Sequence, residues 1–437
     1  MSVIRQGEPW RNWGRSESSR PQFFAKANNV DDVVEVLAFA RERGLRVKTV
    51  GAGHSFTAIA ATDDIQLDIS ALDGIYAVNG TQVTLGAGTH LYQLAGLLDP
   101  LGLALANMGD IDRQTLAGAT STGTHGTGAG FGGLATQIVA AMIVLADGTI
   151  SYVSETENAE LLPAVRLGLG ALGVLIELTI ECVPSFLLNA VEKPEPLAEV
   201  LDAWAERTTG ADHFEFYWFP HTPTALTKTN TRLPVDAPKK LQNPVGRWVD
   251  DQLMSNHIYS VTCALGTAVP ALIKPINHLA DKLVAAREVT DLSHRIFVAP
   301  RTIKFREMEY ALPVEHVPAA LRAINELIET RGWRISFPIE VRVAAADDNW
   351  LSTAYGRASG YIAVHRYYRE DPTEYFDAVE EILESFDGRP HWGKMHTRDA
   401  QSLAAAYPRF SDFLAVRDQL DPDRRFANPY LERVLGA

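Results

Sequence analysis

The spacing of apolar and polar residues changes repeatedly over the first 184 positions. Apolar residues at helical spacing predict an amphipathic helix ending at Arg43, with Asn29 or Asp31 as its N-cap and Gly44 as its stop. Apolar and β-branched segments precede and follow it at 21–27 and 45–50, which predicts a β-α-β opening. Further strands are predicted at 65–68, 81–85, 101–106, 138–145, 149–153 and 174–183, with a helix at 91–98.

After Pro184 the pattern changes to longer helices among alternating strands. Helices are predicted at 275–288, 317–331 and 373–386, strands at 335–343 and 361–368, and a loop over 232–248. We interpret residues 1–184 as one domain and residues 185–403 as a separate α+β cap domain. Residues 404–437 form a C-terminal segment that carries a further helix.

Composition limits the class of protein. At 437 residues, two domains are expected, and 46% hydrophobic against 22% charged residues indicates a folded chain. A formal charge of -14 argues against nucleic-acid and anionic-membrane partners. The only cysteines, Cys182 and Cys263, fit no disulfide framework or thiolate metal site and suit a reducing compartment. No apolar run is long enough for a membrane helix, so we expect a cytoplasmic protein without a transmembrane segment.

A glycine-flanked turn, Val-Gly-Ala-Gly-His-Ser at residues 50–55, follows the strand 45–50. Glycines at positions 51 and 53 permit a sharp turn and let backbone N–H groups approach a ligand. Phe56 occupies the third glycine of the dinucleotide fingerprint, and no Gly-Lys-Ser/Thr follows, so neither a Rossmann motif nor a P-loop is present. The turn therefore predicts a phosphate-binding loop that ends in a histidine, His54.

Residues 107–133 are the part of the chain richest in glycine and threonine. A flexible linker is one interpretation, but strongly apolar strands are predicted on both sides of this region. A backbone surface that contacts a polar ligand fits the pattern better.

Three groups of polar residues are further candidates for chemistry. Glu340 and Arg342 alternate on a predicted strand and therefore share one face, which is either a solvated face or part of a site. His391 and His396 lie five residues apart with Lys394 between them, a spacing that fits no zinc motif. His365 is a lone histidine on an apolar strand, either a satisfied core residue or a functional one.

Together these motifs resemble the flavin-dependent aldonolactone oxidases and dehydrogenases of the vanillyl-alcohol-oxidase superfamily. This group includes the gulono-, galactono- and arabinono-1,4-lactone oxidases, and the alditol oxidases are close relatives. The resemblance rests on an ordered set that spans nearly the whole chain: residues 50–55, 107–109, 121–128, 170–174, 340–342, 391–394 and 426–431.

The resemblance implies an α+β fold of two domains, with a PCMH-type FAD-binding domain, a cap domain and a C-terminal segment that returns to the FAD domain. It implies FAD as cofactor, covalently bonded through its 8α-methyl group to His54, and hydride transfer from a hydroxyl-bearing carbon to flavin N5. The implied substrate is an aldono-1,4-lactone, with an open-chain alditol as the alternative. Oxygen or another acceptor would reoxidise the flavin, and glycine at position 109 favours oxygen.

The implied site residues fall into two groups, and no metal is expected. The catalytic group is Glu340, Arg342, Lys394 and His365, where Arg342 supplies positive charge and Glu340 orients the substrate, while Lys394 lies near either the flavin edge or the reacting hydroxyl. The cofactor-binding group is Val50, Gly51, Ala52, Gly53, His54, Ser55, Gly109, Asp110, Thr115, Ser121, Gly123, Thr124, His125, Gly128, Val174 and Lys394. A flavin carrier without turnover and a nicotinamide dehydrogenase are the rival classes. A lactone oxidase should carry a bound yellow colour that a sugar lactone bleaches. A flavin carrier would keep its colour, and a nicotinamide dehydrogenase would have no bound colour.

Overall fold

The computed structural model describes residues 3–242, 259–299 and 302–437. Its α-helices in these ranges are Val30–Arg43, Leu91–Leu98, Leu116–Ser121, Leu162–Val165, Leu197–Asp202, Trp204–Thr209, Tyr259–Ala268, Ile273–Leu283, Ser293–Phe297, Val317–Arg331, Thr373–Ser385, Ala400–Ala406, Phe410–Leu420 and Pro429–Leu435.

Two sheets form the first part of the chain. The smaller one runs in the order Ile4–Gln6, Phe23–Lys26, Ile65–Asp68, Val47–Val50, and its last three strands are parallel. The other is antiparallel, in the order Ile150–Ser154, Ile138–Val144, Val174–Glu181, Gln82–Gly86, Ile75–Asn79. Short strand pairs join Trp10–Arg11 to Ser18–Ser19 and Leu103–Ala104 to Val183–Pro184.

An eight-stranded antiparallel sheet dominates the middle of the chain. Its order is Arg287–Leu292, Phe186–Pro196, Thr224–Pro234, His213–Trp218, Ile339–Ala344, Ser359–Tyr367, Phe305–Pro313, Arg389–Pro390. Helices Val317–Arg331 and Thr373–Ser385 pack on one face of this sheet through residues such as Ile324 and Val379.

The first helix shows how local chemistry fixes an element. Asn29 accepts a hydrogen bond from the backbone N–H of Asp32, and Gly44 ends the helix in the left-handed conformation at φ 66°. The buried face consists of Val33, Val36, Leu37 and Ala40. The predicted N-cap and stop are therefore confirmed.

Most of the other predicted elements form where the pattern placed them, and the differences have local causes. The helix predicted at 275–288 is Ile273–Leu283, because the chain leaves it to pair as the strand Arg287–Leu292 with the long strand Phe186–Pro196. The strand predicted from residue 335 begins at Ile339, directly after Pro338. Pairing with Phe186–Pro196 also extends a strand through residue 234 of the predicted loop, and residues 243–248 of that loop lie outside the described residues.

The strand predicted at 101–106 also differs from the structure. A 3-10 turn occupies Asp99–Leu101, and only Leu103–Ala104 pair as a strand. Within the glycine- and threonine-rich stretch, Thr115 caps the short helix Leu116–Ser121 by accepting from the N–H of Gly118.

Two main hydrophobic cores lie on either side of the cavities described below. One joins the first two sheets to the C-terminal helices and includes Leu37, Leu85, Phe413 and Phe426, and the other lies under the eight-stranded sheet. Asn428 also ties the C-terminal segment to the first part of the chain, since its side chain donates to the carbonyl of Ala58 at 2.9 Å. The exact domain boundaries at 184 and 403 stay predictions.

Both cysteines are buried. Within the described ranges, every helix is too short or too polar to cross a bilayer.

Candidate active site

The turn after Val47–Val50 exposes a row of backbone donors. Gly53 adopts φ +68°, and a side chain at Gly51 would clash with the hydroxyl of Thr115. Among the described residues, the N–H groups of residues 52–55 find no protein acceptor. The turn therefore presents unpaired donors to a ligand.

These donors line an elongated cleft of about 990 Å³. Its walls include the turn, Thr115, Ser121 and the glycine-rich loop at 168–173. A second cavity of about 700 Å³ continues from it toward the eight-stranded sheet, and four residues line both spaces: His54, Ser55, Gln114 and Thr122. A ligand in the cleft thus reaches the second cavity at His54.

The structure brings most of the predicted site residues to these two spaces. The cleft is lined by Val50, Gly51, Ala52, Gly53, His54, Ser55, Thr115 and Ser121. The second cavity is lined by Gly109, Asp110, Thr124, His125, Glu340, Arg342, His365 and Lys394. Three predicted residues line neither space: Gly123, Gly128 and Val174.

Those three residues make contacts within the protein. Gly128 donates its N–H to the carbonyl of Val343 at 2.8 Å and so joins the glycine-rich stretch to the cap sheet. Val174 is fully buried in a strand, and Gly123 turns the chain at φ +81° against Leu167.

His54 stacks on Trp13 with ring centroids 5.3 Å apart. Burial, together with the charges of Lys394 and Arg113, lowers the pKa of His54 to about 4. The imidazole is therefore neutral at physiological pH and keeps a nucleophilic lone pair.

Arg342 lies at the centre of a buried cluster of carboxylates. Its Nε contacts Glu215 at 3.0 Å, and its Nη2 contacts Asp110 at 3.3 Å and pairs with Glu340. Burial alone would lower the pKa of Arg342, but Glu340, Asp110 and Glu215 raise it well above its usual value. The guanidinium is therefore permanently charged and fixed in orientation.

Lys394 pairs with Glu307 beside His365. Burial opposes the charge on Lys394, but Glu307 and Glu309 raise its pKa, so the ammonium stays protonated. The Nδ1 of His365 lies 2.9 Å from the carbonyl oxygen of Pro338 and so carries a proton. The Nε2 lies 3.6 Å from Glu307.

A third group of titratable residues lines the same cavity. The Nε2 of His125 lies 3.2 Å from Glu309, and the ring of His125 stacks on Tyr361. The backbone N–H of His391 donates to the carbonyl of Glu309 at 3.0 Å. Burial lowers the pKa of His391 to about 4, so that ring is neutral.

Sequence reasoning did not identify Glu307, Glu309 or Lys48 as site residues. The two glutamates occur as Glu-Met-Glu, with the same alternation that singled out Glu340 and Arg342, so a signal was present. Lys48 lines the cleft, and its ammonium donates to the carbonyls of Gly170 and Phe426, both at 3.2 Å. Burial lowers the pKa of Lys48 to about 7, and its amine adds a basic group to the cleft.

The cleft fits FAD on its own chemistry. Unpaired backbone donors suit a pyrophosphate, and the glycine at position 51 lets the turn lie against Thr115, where a side chain would clash. The neutral His54 at the junction of the two spaces matches a flavin whose ring system reaches the second cavity.

Comparison with known families identifies both parts of the chain. Residues 178–434 match the family model described as D-arabinono-1,4-lactone oxidase, and residues 21–154 match an FAD binding domain.

Curated relatives match over almost their whole length. An L-gulono-1,4-lactone dehydrogenase of Mycobacterium tuberculosis is 40% identical over 431 residues, covering 98% of this chain and 99% of the relative. An L-gulonolactone oxidase of Bos taurus is 35% identical over 438 residues, covering 98% of each chain.

Solved structures share the fold at low sequence identity. A cholesterol oxidase from B. sterolicum matches with a TM-score of 0.81 at 15% identity, covering 99% of this chain and 97% of the other. A chitooligosaccharide oxidase matches with a TM-score of 0.71 at 13% identity, covering 96% and 93%. Taken with the family models and the curated relatives, these findings show that the chain belongs to the D-arabinono-1,4-lactone oxidase family of FAD-dependent oxidoreductases.

Proposed function

We propose that this protein oxidises a hydroxyl-bearing carbon of an aldono-1,4-lactone and passes the hydride to FAD. The observation that carries the proposal is the single cavity in which Glu340, Arg342 and Lys394 of the cap lie opposite His54 of the cofactor turn. A flavin carrier without turnover has no need of such a buried charged wall. Bound FAD supplies a hydride acceptor at N5.

In this proposal Glu340 and Arg342 bind the reacting end of the substrate. The carboxylate of Glu340 accepts a hydrogen bond from a substrate hydroxyl and orients the carbon to be oxidised. Arg342, held by three carboxylates, keeps its positive charge in place for the negative charge that develops during the reaction. The arrangement is preorganised, because none of these side chains has to move to reach a partner.

The hydroxyl proton is assigned to the Nε2 of His365. The alternatives are weaker bases, since the ammonium of Lys394 stays protonated and Glu307, despite burial, has a lowered pKa beside Lys394 and His365. Lys394 then fixes Glu307, which in turn faces His365. In this assignment Lys394 acts on the reacting hydroxyl indirectly, through Glu307 and His365, and not on the flavin edge.

On the cofactor side, residues 51–55 bind the pyrophosphate through backbone N–H groups, and His54 bonds covalently to the flavin. The neutral state of His54 supports the bond, because the lone pair of a neutral imidazole is the nucleophile. Oxygen is the proposed electron acceptor, supported by the absence of a side chain at Gly109, which lines the cavity. The cytoplasmic location expected from the sequence stays a prediction.

The test is anaerobic reduction of the purified yellow protein. Addition of L-gulono-1,4-lactone should bleach the flavin absorbance in a single reductive step, whereas xylitol should bleach it far more slowly. Bleaching by the alditol alone would assign the protein to polyol oxidation. A flavin that no lactone or alditol reduces would contradict the proposal.

A further inference from the structure

Cavity-facing residues of the cap sheet lie in rows across neighbouring strands. Ala363 pairs directly with Glu340 on one side and with Glu309 on the other. His391 continues the same row, because its N–H donates to the carbonyl of Glu309. Directly paired residues project to the same face of a sheet, so two carboxylates flank an alanine along one row.

The distance between the two carboxylates along this row suits a substrate that extends beyond the carbon that is oxidised. Glu340 and Glu309 lie two strand spacings apart, about 10 Å between their backbones. Ala363, which pairs with both strands between the two carboxylates, carries only a methyl group. Both glutamates line the cavity, and Glu309 lies on the side away from Arg342 and its carboxylates.

Hydrogen-bond partners fix the tautomers beside Glu309. The Nδ1 of His391 accepts from the N–H of Gly393 at 3.0 Å, so the neutral ring carries its proton on Nε2 and donates there. The Nδ1 of His125 donates to the carbonyl of Gly126 at 2.9 Å, and its Nε2 lies 3.2 Å from Glu309. That Nε2 is buried and makes no aligned hydrogen bond to any described residue.

The same tautomers argue against a metal ion. Candidate ligand atoms of His125, Glu309 and His391 lie within 4.8 Å of one another, close enough to suggest a cation site. A metal at the Nε2 of His391 would need a lone pair there, while the Nδ1 lone pair is already used by Gly393. The group therefore offers a carboxylate acceptor next to an N–H donor, and a hydroxyl group satisfies both at once.

We propose that Glu309 and His391 form a second subsite that binds the hydroxyl groups of the substrate side chain. This inference rests on the proposed function and extends it to the part of the lactone that does not react. The subsite selects neutral, hydroxylated side chains, because the carboxylate of Glu309 repels an anionic substituent and leaves an apolar one without hydrogen bonds. A site built around hydroxyl groups discriminates strongly against analogues that lack them.

The test compares two lactones that share the ring but differ in the side chain. L-gulono-1,4-lactone carries a dihydroxyethyl group, and the four-carbon L-erythrono-1,4-lactone, which has the same cis C2 and C3 hydroxyls, carries none. Anaerobic stopped-flow mixing gives the limiting rate constant of flavin reduction and the apparent dissociation constant for each. Glu309→Gln should weaken binding of the six-carbon lactone by about 10- to 100-fold and that of the four-carbon lactone by less than about threefold.

Two further variants keep the result interpretable. His391→Phe removes the Nε2–H donor and keeps an aromatic ring at this position. It should weaken binding of the six-carbon lactone selectively, as Glu309→Gln does, and it serves as the test if Glu309→Gln fails to fold. Glu380→Gln is the matched control, because Glu380 is another buried carboxylate of the cap that lies outside the active-site cavity and binds Thr397. It should leave the preference for the six-carbon lactone unchanged.

The possible outcomes separate this inference from the proposed function. An equal loss for both lactones in Glu309→Gln and His391→Phe would overturn the subsite and leave lactone oxidation intact. Stoichiometric metal in the purified protein, lost in Glu309→Gln, would also overturn it. Failure of both lactones to reduce the wild-type flavin would overturn the proposed function, and the subsite with it.

Discussion

Replacing Arg342 by lysine keeps a positive charge in the cavity but removes the planar fork that holds it. The guanidinium contacts Glu215 through Nε and contacts Asp110 and Glu340 through Nη2. A lysine ammonium is a single nitrogen and cannot occupy both positions. At least one of the three carboxylates therefore loses its contact with residue 342, and the remaining charge shifts away from the reacting end of the substrate.

The expected size of the effect follows from these contacts. Loss of one preorganised charge contact to the transition state costs about 10²–10³ in rate, or roughly 3–4 kcal/mol. Removing the cation completely, as in Arg342→Met, would take a buried positive charge away from these carboxylates and would destabilise the fold by about 3–5 kcal/mol. The lysine variant is therefore the better probe, because the catalytic loss should exceed the loss of stability.

The assay is the limiting rate constant of anaerobic flavin reduction by L-gulono-1,4-lactone, measured beside urea unfolding. Arg166→Lys is the control, since Arg166 is equally buried, donates to the carbonyl of Ile138 at 2.6 Å and lines neither cavity. It should lose stability and keep its reduction rate. A reduction rate in Arg342→Lys within about threefold of wild type would refute the role given to Arg342.

Three other predictions concern the cofactor side. Acid precipitation should leave the yellow colour in the wild-type pellet and release it from His54→Ala, and colour released from the wild type would contradict the covalent bond. A methyl group at Gly109 would lie 3.1 Å from the carbonyl oxygen of His125 and narrow the cavity. Gly109→Ala should therefore slow reoxidation of the reduced flavin by oxygen about tenfold or more, measured by stopped-flow mixing. An unchanged reoxidation rate would show that this position does not control the access of oxygen. Burial lowers the pKa of Lys48 from its usual 10.5 to about 7. Between pH 7 and 10.5 the unfolded chain therefore binds a proton that the folded chain lacks. The free energy of unfolding should rise across this range by up to about 1.4 kcal/mol per pH unit. Urea unfolding at several pH values in this range should show a smaller rise of the unfolding free energy in Lys48→Met than in the wild type. The same slope against pH in both proteins would contradict the burial of an uncharged lysine.

The turn at His54 could be predicted from sequence because its causes are local. Two glycines next to a strand end determine both the sharp turn and the exposure of the backbone, and no distant residue is needed to see it. Helix Val30–Arg43 was predictable for the same reason, since its cap, its stop and its apolar face all lie within sixteen residues. The helix at 273–283 was predicted too long because its end depends on a strand nearly one hundred residues earlier.

The roles of Glu307 and Glu309 could not be read in the same way. Alternation showed that the two side chains share a face, but not which face of the strand meets the cavity. That choice depends on pairing with Ser359–Tyr367, which is fixed by register across more than fifty residues. Lys48 is a stronger case, because its burial depends on the carbonyl of Phe426 at the far end of the chain.

The division of the site between two parts of the chain has a consequence for the family. The cofactor turn presents backbone groups, which are insensitive to most substitutions, whereas the substrate wall consists of side chains in paired rows of one sheet. Within a row, changing a single residue such as Ala363 alters the space between Glu340 and Glu309 without moving either glutamate. Members that share the cofactor turn can therefore differ in substrate through one or two positions of the cap sheet. Substrate preference should follow the residues of this row more closely than overall sequence identity.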